Sequence, residues 1–108
     1  MSNHFANAFK TDLTLGDMFA RLQQIGPWRW RERDNDRWDA YLSALAHDEP
    51  YWAMVKIFVE EDFYVVDVLF ESDDPGAQEK YEEIRQTLFG HLLPAIEARD
   101  IEQADPRE

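Results

Sequence analysis

Cysteine is absent from this chain of 108 residues. Its absence excludes disulfides, thiol nucleophiles and cysteine-ligated zinc or iron–sulfur centres, and removes any mark of an oxidising compartment. Glycine is scarce, and Gly16, Gly26, Gly76 and Gly90 stand singly, so no glycine-rich loop exists to cradle a phosphate. Histidine and serine are scarce too. His4, His47 and His91 are far apart along the chain and read as surface or boundary residues. Ser2, Ser43 and Ser72 lie in no nucleophile-elbow context. No apolar run approaches the roughly 18 residues that a membrane span needs. The first residues, MSNHFANAFKTD, lack a basic segment followed by an apolar core, so no secretory signal is expected. The expected location is the cytoplasm.

Positive charge is in short supply as well. Eleven basic residues face 23 acidic ones, for a net charge of −12. The imbalance is concentrated: residues 1–59 carry seven basic and eight acidic groups, and residues 60–108 carry four and fifteen. A nucleic-acid backbone or an anionic membrane needs a net positive surface, so neither is the expected partner. A basic protein fits the balance, as does acidity kept for solubility.

What the chain does have is apolar and aromatic residues, 44% and 14% of the total, enough for the core of one domain. The stretch from Tyr51 to Phe70 reads as two β-rich runs around the acidic loop Glu60 to Phe63. Pairing them around that loop sets Val59 against Tyr64, Ile57 against Val66, Val55 against Val68 and Ala53 against Phe70. One face is then wholly apolar. The other pairs Met54 with Leu69, Phe58 with Val65, and Lys56 with Asp67, the two charges of the strand bodies. A one-residue slip would scramble both faces. Asp67 lies mid-strand and needs a partner for its charge, which Lys56 supplies.

Ahead of this hairpin, residues 1–12 read as a loose arm. A helix follows over 13–26, with Thr14 and Asp17 as a capping-box pair and Gly26 with Pro27 as its stop. Its apolar stripe is Leu15, Met18, Phe19, Leu22 and Ile25. From Trp28 the sequence alternates, with tryptophans on one side and Arg29, Arg31 and Arg33 on the other. The turn chemistry of Asp34-Asn35-Asp36 makes this a first hairpin, with a loop at Asn35–Arg37 that pairs Trp30 with Leu42, Trp28 with Ala44 and Arg33 with Asp39. A helix from about Asp36 is the rival reading. After the loop His47–Pro50 and the second hairpin, Asp74 and Pro75 open a last helix over 74–99, kinked near Pro94, with Gly90 one turn earlier softening the clash. Residues 100–108 read as a polar tail.

The expected fold is a single α+β domain. It is a two-layer sandwich of an N-terminal helix, a four-stranded antiparallel sheet over 28–70 and a C-terminal helix. No catalytic constellation emerges, and no cofactor or metal is expected. The carboxylates Glu60-Glu61-Asp62 and Glu71, Asp73 and Asp74 follow no EF-hand spacing, which leaves a metal-dependent hydrolase using these carboxylates the weakest reading. The expected function is a non-enzymatic interaction module of the adaptor, chaperone or immunity type. Its basic protein partner would meet the loop Glu60, Glu61 and Asp62 and the helix face Glu79, Glu82 and Glu83. The alternative uses the second sheet face, where Arg29, Arg31, Arg33, Trp52, Lys56, Phe58 and Asp67 gather with Tyr41 and Phe63, for homodimerisation or a small anionic ligand.

Overall fold

A computed structural model describes residues 2–35, 39–47, 52–72 and 74–106. The fold is α+β, with helices packed on one face of an antiparallel sheet. The sheet has six strands where the sequence predicted four. In chain order they are β1 (Ser2–Lys10), β2 (Trp30–Asn35), β3 (Asp39–His47), β4 (Trp52–Val59), β5 (Tyr64–Glu71) and β6 (Arg99–Ala104). Their spatial order is β2-β3-β4-β5-β1-β6.

The two extra strands correct the expectations for both ends of the chain. The expected loose arm is a strand from Ser2 to Lys10: β1 pairs with β5 from Ser2 to Phe9 and carries Phe9 and Ala6 into full burial. The polar tail is not free either, because β6 adds to β1 as the second edge strand. Both were hidden for a physical reason. β1 places Asn3 and Asn7 among its inward-facing positions, and β6 is exposed along nearly all its length, so neither shows a full apolar alternation.

Between the strands, α1 (Leu15–Ile25) carries the expected capping box. The Asp17 N–H donates to Thr14 Oγ1 at 3.1 Å, and the Thr14 N–H donates to Asp17 Oδ2 at 3.4 Å. Gly26 ends it at φ 51°, a conformation that favours glycine. Met18 and Leu22 are buried in the core, whereas Ile25 at the end of the predicted stripe is 46% exposed.

The C-terminal helix is shorter and more broken than the range 74–99. It comprises α2 (Ala77–Thr87), a π-helical turn (Leu88–Leu92) and α3 (Leu93–Ala95). The π turn falls immediately before Pro94. Widening the coil there accommodates the residue that cannot donate, with the Leu93 N–H reaching back to Leu88 O. The segment closes with a Schellman pair: Glu97 N–H donates to Pro94 O at 3.0 Å and Ala98 N–H to Leu93 O at 3.0 Å. Glu97 takes the left-handed position at φ 56°, where glycine is usual. Arg21 of α1 meets this end, donating to Ala95 O and to Glu97 Oε2.

The β4–β5 register is the one read from the sequence, from Ala53 opposite Phe70 to Val59 opposite Tyr64, with Lys56 opposite Asp67. Residues 39–47 form a strand, so the rival helix is excluded for them. The β2–β3 pairing differs by two residues: Trp30 faces Ala44, Glu32 faces Leu42 and Arg33 faces Tyr41. A shift of two keeps every side chain on its face, so the apolar pattern alone does not select between these registers. Trp28 lies before β2, buried beside Trp30 with ring centroids 6.3 Å apart. Residues 36–38 with Trp38, residues 48–51, Asp73 and the Trp52 side chain lie outside what is described, and with them most of the expected loops Asn35–Arg37 and His47–Pro50.

The core is one cluster between the inner sheet face (Trp30, Leu42, Ala53, Val55, Ile57, Val66, Val68, Phe70) and the helices (Met18, Leu22, Ile84, Leu88, Leu92, Leu93, Ile96). Over β1, the Arg85 guanidinium lies 4.8 Å from the Phe5 ring and 5.3 Å from that of Phe89.

Candidate functional site: an arginine-lined groove

Alternation along β2 puts Trp30, Glu32 and Asp34 on the inner side of the sheet and Arg31 and Arg33 on the outer side. Arg29, just before the strand, joins the outer pair. These three arginines, with Pro27, Ser43 and Leu45 and with Met54 from β4, line a groove of about 420 Å³. The three guanidiniums have no ion-pair or hydrogen-bond partner among the described residues. Leu45 is 42% exposed, and Ser43 Oγ donates to Met54 Sδ at 3.3 Å. The groove therefore presents three fixed positive charges beside a thioether and aliphatic floor. β2 is an edge strand, and among the described residues only β3 pairs with it.

The rest of the predicted sheet-face site separates from this groove. Phe58 is not an exposed aromatic: it is 1% exposed, its ring packed 5.4 Å from that of Tyr41. Phe63, at the β4–β5 turn, is 38% exposed and lines a different cavity of about 370 Å³ with Lys10 and the β6 residues Asp100, Ile101 and Glu102. Lys56 is half-buried. Asp67 is 4% exposed, and both its carboxylate oxygens accept from His4 Nε2, at 2.8 and 2.9 Å. His4, expected in a loose arm, reaches Asp67 because it lies in β1. The available signal was the period-two run from His4 to Phe9, which sets His4, Ala6 and Ala8 on one face and Phe5, Asn7 and Phe9 on the other.

The acidic candidates do not converge. Glu61 and Asp62 are exposed at the β4–β5 turn, with Glu60 half-buried beside them. Glu79, Glu82 and Glu83 are exposed on α2, Glu83 paired with Lys80 and Glu82 accepting from Gln78. The same helix carries Tyr81, which packs 5.4 Å from Phe70, at the end of β5 opposite that turn. Six strand positions separate Phe70 from Tyr64, or about 20 Å. The two acidic groups are thus at opposite ends of the sheet.

Among the described residues, no three histidine or carboxylate side chains gather as a metal site, and no helix is long and apolar enough to cross a membrane. No family model, curated protein or solved structure matches the chain.

Proposed function

We propose that this is a non-enzymatic binding domain whose working surface is the arginine groove beside β2, and that its ligand carries anionic groups. One observation supports the reading above the rest. In a chain of net charge −12, three guanidiniums without a partner among the described residues line one groove with an apolar floor. Guanidinium forks suit carboxylates and phosphates, and the strand holds them in fixed order. The test measures melting temperature and binding heat with citrate, triphosphate and a glutamate-rich peptide, for the wild type and for R29E/R31E/R33E. At least one anion should stabilise the wild type and not the variant, with the fold unchanged by circular dichroism. Equal response of the two proteins, or none from either, overturns the groove as the working surface.

A second reading retains the acidic half as a docking surface for a basic protein. It is favoured by the exposure of Glu79, Glu82 and Glu83 on one helix. Reversing these three to lysine should weaken capture of such a partner while leaving the fold intact by circular dichroism. Unaltered capture removes that helix from consideration.

A further inference from the structure

The proposed groove lies along β2, an edge strand whose outer edge meets α1 at Trp30 and is paired with no other strand among the described residues, and the two features together define what fills it. The Trp30 N–H donates to Gln23 Oε1 of α1 at 3.0 Å, so it points away from β3. Outward and inward amides alternate along an antiparallel strand. Glu32 and Asp34 therefore also turn their N–H and C=O groups outward, and among the described residues no strand pairs with that edge. Side chains alternate across the same strand, with Arg31 and Arg33 on the groove side and Glu32 and Asp34, both exposed, on the other.

From this juxtaposition we infer that the ligand is an extended peptide segment of a partner protein that adds to β2 as a further strand. Its acidic side chains occupy alternate positions, facing Arg31 and Arg33, and neutral or basic side chains occupy the positions between them. This deepens the groove reading and rests on it. Main-chain bonds to the outward groups of Glu32 and Asp34 supply register, and the cross-strand charges supply selection. The pattern of β2 also disfavours a second copy of β2 as the guest. An antiparallel pair centred on Glu32 would set Arg31 against the other copy's Arg33, and Glu32 against Glu32, all like charges.

The experiment uses the full chain and peptides of about seven residues, one more than the six of β2. One alternates glutamate with lysine, one alternates glutamate with threonine, and one is all glutamate. Two further versions of the glutamate–threonine peptide carry backbone N-methyl groups, one in each alternate phase. Inorganic triphosphate serves as a small anion.

Strand addition predicts that the alternating peptides bind at least about tenfold tighter than the all-glutamate one, whose excess charges meet Glu32 and Asp34. It also predicts that N-methylation abolishes binding in one phase only, and that bound peptide slows exchange of the Glu32 and Asp34 amides. R31E/R33E should remove binding of every peptide. If all-glutamate binds tightest and both N-methylated peptides bind as the parent does, strand addition is overturned while the arginine groove stands. If triphosphate alone binds, the peptide occupant is overturned and the groove again stands. If no anion binds, both fall together.

Discussion

His4 shows how far one side chain departs from what its sequence position suggests. Its imidazole bridges both oxygens of Asp67, a carboxylate that is 4% exposed. Removing one partner of a buried polar pair leaves the other short of a bond, which is worse than removing both. His4→Ala should therefore cost about 1–3 kcal/mol in urea unfolding, and H4A/D67N should cost less than the sum of the singles. Additive losses would show that the two groups do not act as a pair. Glu97 makes the opposite case. An L-residue in the left-handed region costs about 1–2 kcal/mol relative to glycine. Its ion pair with Arg21 has both side chains about half exposed or more, and such pairs return only about 0–1 kcal/mol. Glu97→Gly should raise stability by about 0–2 kcal/mol on that balance. A lower midpoint in denaturant would mean that the Arg21 contact outweighs the backbone strain.

At the scale of elements, β1 and the π turn decide two further tests. A frayed arm would tolerate truncation of its aromatics, but Phe9 is 1% exposed and stacks on Tyr64 at 5.7 Å. Phe9→Ala should cost about 3–5 kcal/mol, and a loss within experimental error would return residues 2–10 to the status of an arm. Gly90 read as relief for Pro94, yet the π turn already widens the coil there, and a Cβ on Gly90 would meet nothing within 4 Å. Gly90→Ala should stabilise by about 0.5–1 kcal/mol through lower chain entropy in the unfolded state. A destabilised variant would show that the turn needs the glycine backbone. These elements also mark what was legible. The β4–β5 hairpin was readable to the residue because apolar alternation and the Lys56–Asp67 pair select one register. The α1 start was readable because Thr14 and Asp17 are local to it. β1 and β6 were not, since their strand character comes from long-range pairing and not from their own pattern. The arginines were readable as one face of β2, but their groove needed Leu45 and Met54 from two other strands. The predicted company of Phe58 dissolved because a residue's face does not disclose its burial.

The whole molecule couples this groove to the charge of the rest. The ion pairs Arg21–Glu97, Lys80–Glu83 and Arg99–Asp12 each have at least one partner more than half exposed. Such pairs contribute little, so added salt weakens little that stabilises the fold. Salt also screens the mutual repulsion of a chain at net −12, which favours the unfolded state. The melting temperature should therefore rise between about 10 mM and about 150 mM sodium chloride. R29E/R31E/R33E sharpens the test, because each reversal removes two units of charge and the three together take the net from −12 to −18. Those guanidiniums have no partner to lose among the described residues, so the variant should lose stability mainly by repulsion. Its melting temperature should fall below that of the wild type at low salt and approach it at high salt. A deficit unchanged by salt would show that the arginines support the fold through contacts of their own. Loss of ligand binding in the variant would then no longer separate a binding surface from a structural one.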